Sequence, residues 1–412
     1  MPKPGHPFPV KDLQAVLQRT LSQQLNILHI EWKMLTEPGE NFGSLIIAVD
    51  VNMTRDSNPE ILNIVVKLPP PTVFLRDLFN SPLTFKKELH FYENIVPAFI
   101  ELQVENDIER DQLINLAPRY YGGRLGLGQP DIFDEQSCLV LENLNYQGFS
   151  TGNRIQGLDK EHMDYATKRL AQLHALMIGL KIKKPATFKK VISPALLSPI
   201  NETTMDGVTA MVDSALAVIR SMPEAEGYFP QVEKVMKYSE EMHNSFVKGE
   251  EPWSTMVHHD FWVNNMLFKK DPDGKIIDLK IIDFQLYWYD VGITDLVFFM
   301  LSSAKKDVLD ESLDDFIDLY YQSFLDCLEL LKVNTKDFSR KSFDELLQKY
   351  APTKFPQCIM MTQVIKADRS STKEMDEIGN QETFLSNSSS KLIRNTLLHI
   401  LKIFEKKGWF PQ

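Results

Sequence analysis

Cysteine is scarce in this sequence: Cys138, Cys327 and Cys358 are the only three among 412 residues. They lie far apart and match no metal-ligand spacing, so neither a disulfide scaffold nor a thiolate metal site is expected. Long apolar runs are missing too. "DLVFFML", beginning at Asp295, is far too short to cross a bilayer, so no membrane span is expected. The start, "MPKPGHPFPVKD", has neither the basic opening nor the apolar block of a signal peptide. With so few cysteines, the simplest expected location is cytoplasmic. Excess positive charge is also absent, the formal net charge being −11, which argues against a broad nucleic-acid surface. An anionic ligand must then be met by local cations or a metal ion. No internal repeat stands out, and nothing in the sequence implies a protein partner.

What is present is enough chain for a large core, divided between two lobes. "ILHIEWKML", "LIIAVDVNM" and "ILNIVVKL" read as strands, separated by the turns "TEPGENFGS" and "TRDSNPE". "SPLTFKKELHFYENIVPAF" opens on a Ser-Pro start signal and reads as a helix, and "SCLVLENL" as another strand. That order suits a small antiparallel sheet with one helix packed on it. Beyond residue 145 the pattern becomes helical. Met163, Ala166, Leu170, Leu173, Met177 and Leu180 recur every three or four residues behind the N-cap candidate Asp159. Ile393, Leu397, Ile400, Leu401 and Phe404 form a second stripe, and both stripes are core faces.

One β motif interrupts the helices. In "NNMLFKKDPDGKIIDLKIIDF" the Asp271-Pro272-Asp273-Gly274 turn joins two apolar runs into a hairpin. The hairpin returns Asp283 to the neighbourhood of Asn265 and Asp260, all polar groups set among apolar residues. Asp283 and Asn265 offer Mg²⁺ the oxygen ligands it takes. Asp260 is free to orient a substrate hydroxyl and accept its proton, as in phosphoryl transfer from ATP. Further features suit the nucleotide. Gly39 and Gly43 frame a turn where backbone N–H groups and Ser44 can approach phosphates. Lys67 closes an apolar strand, and Glu88 on the next helix is the carboxylate to hold it.

"GENFGS", "VVKL", "FKKELHFYENIVP", "LVLENLNYQGF", "LAQLHA", "HHDFWVNN" and "IIDFQ" together resemble the ecdysteroid kinase-like proteins of insects, over about residues 35–300. That family is similar to the choline kinase and aminoglycoside phosphotransferase group. The resemblance implies an α+β, protein-kinase-like fold of two lobes. A small antiparallel-sheet N-lobe would span residues 1–143, and a larger, mainly helical C-lobe residues 144–412. It implies an ATP- and Mg-dependent phosphotransferase acting on an alcohol group. Asp260 would be the catalytic aspartate, Asn265 and Asp283 the metal ligands, and Lys67 with Glu88 the phosphate-positioning pair. Backbone groups around Glu142 and Asn143 would contact adenine, while His258 and His174 would support the catalytic loop.

The sequence departs from the family at residue 259, His where Gly is usual, which admits an alternative: a catalytically impaired ligand-binding protein. The arginine of a protein-kinase "HRD" is absent, so small-molecule acceptors are expected. Phe261, Trp262, Tyr287, Trp288 and Tyr289 crowd the site and suit a lipophilic alcohol such as an ecdysteroid, or a phenolic or glycosidic xenobiotic. The acidic balance would also suit a choline-like cation.

Overall fold

Apolar residues alternate along the first third of the chain, and they become one face of a sheet. A computed structural model describes residues 7–35, 43–245, 249–367, 375–378 and 390–412. Strands β1 (Leu25–Met34), β2 (Leu45–Arg55) and β3 (Asn58–Leu68) form an antiparallel meander, extended by β4 (Tyr120–Arg124) and β5 (Cys138–Glu142). The order is β1-β2-β3-β5-β4. Ile47, Val49, Val51 and Met53 of β2 and Leu62, Ile64, Val66 and Leu68 of β3 point to one side, where they are buried. Helices α1 (Leu13–Gln18) and α2 (Val73–Leu78) cover that side with Val16, Leu17 and Leu75. Period-two alternation therefore turns Lys67 to the opposite side, facing the rest of the molecule.

Two details differ from the sequence expectation. The turn expected over 54–60 is confined to Asp56 and Ser57, and pairing continues to Arg55 opposite Asn58. Both turn residues have positive φ, 51° and 69°, the pattern that lets a two-residue turn follow the twist of its strands. The helix expected over 81–99 is α3 (Ser81–His90) and α4 (Val96–Glu105), joined by a π-turn at Phe91–Ile95. Pro97 explains the join, because it lacks the N–H that an unbroken α-helix needs four residues after Glu93.

The remainder is mainly helical: α5 (Lys160–Lys183), α6 (Pro185–Thr187), α7 (Glu202–Arg220), α8 (Phe229–Ser245), α9 (Ile293–Ser303), α10 (Lys306–Leu330), α11 (Arg340–Tyr350), α12 (Phe355–Ile365) and α13 (Lys391–Lys407). Asp159 caps α5 by accepting the His162 N–H at 3.1 Å. Both expected stripes are buried, from Met163 to Leu180 on α5 and from Ile393 to Phe404 on α13. Among the described residues, no helix is long and apolar enough to cross a membrane. Strands β6 (Phe149–Ser150), β7 (Ser254–Val257), β8 (Met266–Lys270), β9 (Ile276–Ile281) and β10 (Trp288–Val291) form two small sheets. In one, the expected hairpin β8–β9 pairs Met266 with Ile281. In the other, β10 pairs with β7, a pairing the sequence pattern does not announce.

Leu170, fully buried on α5, tests the core assignment. Leu170→Ala is expected to cost about 2–5 kcal/mol in urea denaturation, whereas Lys168→Ala, on the exposed side of the same helix, is expected to stay within about 0.5 kcal/mol.

Candidate active site

The site begins at the C-terminal end of β3. Lys67 is 5% exposed, and a buried ammonium needs compensating charge. It has two carboxylates: Glu88 Oε2 of α3 at 2.7 Å and Asp283 Oδ1, just beyond β9, at 2.6 Å. Burial works against the ammonium, but Asp283 and Glu88 outweigh it and hold its pKa above the ordinary lysine value. Burial pushes the Glu88 carboxyl up, opposed by Lys67 and reinforced by Asp283. One cation thus serves two carboxylates. Gln285 lies beside Glu88, and its Oε1 is 3.3 Å from where a Cβ on Gly43 would sit. Gly43, at the described end of the turn expected to approach phosphates, therefore borders this pair.

A second set of contacts shapes the loop that follows β7. Asp295, in the first turn of α9, accepts the His258 N–H on Oδ2 at 2.5 Å and the His259 N–H on Oδ1 at 2.8 Å. Its Oδ2 is also 3.2 Å from His174 Nε2, and His174 Nδ1 lies 2.6 Å from the Tyr320 hydroxyl. A Cβ at Gly292 would come within 2.5 Å of that imidazole, so only glycine fits there. Burial favours a protonated Asp295, but the hydrogen bond from His174 and the nearby positive charge together more than reverse it and bring the carboxyl down to about 2. His258 Nε2 is 3.0 Å from the Ile282 carbonyl, while its Nδ1 accepts the Asp260 N–H at 3.3 Å. That pattern fits a neutral ring protonated on Nε2, and burial lowers the His258 pKa in the same direction. Phe284 lies between this loop and the helix segment after Glu88. It stacks on Phe91 with centroids 3.6 Å apart, and its centroid is 4.7 Å from that of His258.

Asp260 and Asn265 meet directly. Asn265 Nδ2 donates to the Asp260 carbonyl and to Asp260 Oδ2, both at 2.9 Å. The Asn265 carbonyl accepts the Ile282 N–H at 3.1 Å, so the hairpin places Asn265 and Asp283 at one end. Burial first, then the negative charge of Asp283, pushes the Asp260 carboxyl up to about 7. A carboxyl poised there suits proton acceptance near neutral pH. Among the described residues, no group of three or more His, Cys, Asp or Glu side chains is arranged to hold a metal unaided. The donor set fits Mg²⁺ in another way: one carboxylate and one amide, beside surplus negative charge, leave most positions to phosphate and water oxygens.

The other sequence candidates separate into groups. Gly39 lies outside the described residues, and Ser44 is 1% exposed. Glu142 ends β5, and Asn143 caps the short turn Leu144–Gln147 while its N–H donates to the Asn63 carbonyl at 3.2 Å. Phe261 and Tyr287, proposed from sequence as pocket walls, are instead core residues with no exposed surface. Phe261 packs edge-on to Phe299, and the Tyr287 hydroxyl donates to the Lys87 carbonyl. Trp262 is 7% exposed, leaving half-buried Trp288 and Tyr289 as the most accessible of the five. Trp288 lies against His259, with ring centroids 3.6 Å apart. His259 holds φ +66°, a left-handed conformation that costs a non-glycine residue about 1–3 kcal/mol.

Sequence reasoning passes over three residues near the site: Asp295, Lys354 and Gln357. Asp295 has a readable signal, because it is the sole charge in Ile293–Ser303. Lys354 Nζ, 3.4 Å from His259 Nε2, comes from a distant segment and has none.

A model of the ecdysteroid kinase-like family matches residues 38–333. No curated protein matches the chain. Among solved structures, the chain is similar to an ethanolamine kinase of Plasmodium vivax at 11% identity and TM-score 0.43, over 92% of this chain and 84% of that one. A spectinomycin phosphotransferase solved with ADP and spectinomycin aligns at 12% identity and TM-score 0.44, over 95% and 100%. A choline/ethanolamine kinase family protein from Mesorhizobium loti aligns at 10% identity and TM-score 0.39, over 92% and 90%. The fold is α+β and protein-kinase-like, a small antiparallel-sheet lobe beside a larger helical one.

Asp295 gives this network a pH signature. Its folded pKa is depressed to about 2, so its stabilisation is present above the ordinary aspartate value and is lost as pH falls through about 2. The shift corresponds to about 2 kcal/mol. Urea denaturation of Asp295→Asn is expected to show a deficit of that order at pH 7, shrinking between pH 4 and pH 2. A deficit independent of pH would contradict the assignment.

Proposed function

The chain belongs to the ecdysteroid kinase-like family, and on that premise we propose that it transfers the γ-phosphate of ATP to a hydroxyl of a lipophilic alcohol such as an ecdysteroid. The observation that carries this reading is the buried Lys67 ammonium shared by Glu88 and Asp283, with Asp260 and Asn265 at the same hairpin end. We place the lobe boundary between residues 143 and 144, so that these groups line the cleft between lobes.

Lys67 binds the α/β phosphates, and Glu88 keeps its ammonium aimed at them. The backbone near Gly43 approaches the triphosphate, and backbone groups around Glu142 and Asn143 meet adenine. Asp283 and the oxygen of the Asn265 amide, whose nitrogen is committed to Asp260, would hold Mg²⁺. When bound, the ion supplies neutralising charge to the phosphate oxygens. Asp260 accepts a hydrogen bond from the acceptor hydroxyl and then its proton. The hydroxyl oxygen bonds to the γ-phosphorus as the bond from phosphorus to the ADP oxygen breaks, and ADP leaves with that electron pair. Proton acceptance contributes roughly 10²–10⁴-fold, and positioning and charge neutralisation supply the rest.

Half-buried Trp288 offers an apolar surface beside the loop that carries Asp260, which supports a lipophilic acceptor, steroidal or phenolic. The acidic balance keeps a choline-like cation as the second substrate reading. The competing class is a ligand-binding protein with impaired catalysis, which the strained His259 favours.

Asp260→Asn is expected to lower phosphoryl transfer at least 10²-fold in a labelled-ATP assay against ecdysteroids, phenolic glucosides, choline and aminoglycosides. ATP is expected to raise the thermal midpoint of wild type and mutant alike, more strongly with Mg²⁺. Equal turnover by both proteins would refute the role of Asp260. A wild type that ATP stabilises without regard to Mg²⁺, and that phosphorylates none of these acceptors, would favour the binding protein.

A further inference from the structure

His259, immediately before Asp260, holds φ +66°. Glycine adopts that conformation without steric cost, whereas a histidine must be held in it. Contacts from several elements hold it. Its N–H donates to Asp295 Oδ1 on α9 at 2.8 Å. Its carbonyl accepts from Gln357 Nε2 on α12 at 2.7 Å. Its ring lies against Trp288 on β10. Its Nε2 is 3.4 Å from Lys354 Nζ, and that ammonium donates to Gln357 Oε1 at 2.9 Å. Lys354 is 5% exposed, and His259 and Gln357 are half-buried beside it.

The base of this set is firm. Arg154 Nη1, from the segment before α5, donates to the carbonyls of Ile365 at 2.5 Å and Ala367 at 3.1 Å, capping the end of α12. Gln363 Nε2 donates to the Met211 carbonyl of α7 at 2.9 Å. Residues 354 and 357 lie beyond residue 333, where the family match ends.

We propose that Lys354 and Gln357 form a latch that keeps the His259 backbone left-handed and thereby aims the Asp260 carboxylate. They are positioning residues. Rotation at residue 259 swings residue 260, and a displacement of about 1 Å at a reacting group can cost on the order of 10²-fold in rate. Histidine at 259 makes the latch necessary, because without it the loop relaxes toward negative φ. The consequence for turnover rests on the kinase reading, while the latch itself is decided by a measurement that needs no activity.

The test uses the full chain, with Gln357→Ala and the near-isosteric Lys354→Met each made in the wild type and on a His259→Gly background. Hydrogen exchange of the segment 257–265 is read first. Either substitution is expected to speed exchange there about tenfold in the wild type and less than twofold on the His259→Gly background, where left-handed backbone needs no latch. Hydrolysis of Mg-ATP, with water as acceptor, is read second. The kcat is expected to fall about tenfold with KM for ATP within twofold in the wild type, and to change less than twofold on the His259→Gly background. Unchanged exchange in the wild type, or equal acceleration on both backgrounds, overturns the latch and leaves α12 as ordinary core. A wild type that neither binds nor hydrolyses ATP removes the kinase reading, and exchange still decides the latch.

Discussion

A single buried ammonium organises this molecule. Lys67 reaches Asp283 across 216 residues of sequence and Glu88 from a separate helix, so the sheet, α3 and the β8–β9 hairpin meet at one nitrogen. Its neighbours are arranged to permit this. Strand alternation turns Lys67 away from the apolar face made by Ile64, Val66 and Leu68. The π-turn after α3 carries Phe91, whose ring stacks on Phe284, the residue after Asp283. The carboxylates of Glu88 and Asp283 are thus fixed by packing as well as by charge.

Asp295 performs the matching task beneath the loop that follows β7. It accepts the N–H groups of His258 and His259 and orients His174, while His258 bridges to Ile282, the residue before Asp283. The loop bearing Asp260 and the strand end bearing Asp283 are therefore tied through one imidazole. Its neutral state follows from burial, and a neutral ring can donate to a carbonyl and accept from an N–H simultaneously.

These two hubs were not equally visible in the sequence. Lys67 and Asp283 are legible because each closes an apolar strand, and a Pro-Asp-Gly turn sets the hairpin that returns Asp283 to Asn265. The helical stripes of α5 and α13 are legible for the same reason: period reports burial. Asp295 sits in an apolar run by the same logic but resembles a helix-start acid, and nothing local marks the two loop N–H groups it serves. Phe261 and Tyr287 read as pocket walls because an aromatic ring beside a site has the same local pattern whether it faces a ligand or the core. Gln357 is out of reach of local pattern altogether, since its contact with His259 spans 98 residues and depends on how α12 is anchored.

The energetics of buried ion pairs bear on what the first hub is for. Desolvating an ammonium and two carboxylates costs several kcal/mol per ion, and well-packed apolar residues of similar size often stabilise a fold as well or better. Around Lys67 the imbalance is plain, because one cation faces Glu88 and Asp283 while the charge of Asp283 also raises the Asp260 carboxyl. A fold built only to last would gain by replacing these residues with Leu or Met. On the proposed function their cost would be offset by ligands of both signs, phosphate oxygens beside Lys67 and a divalent ion beside Asp283. The surplus of acid around one lysine is therefore better explained by what binds there than by what it adds to stability.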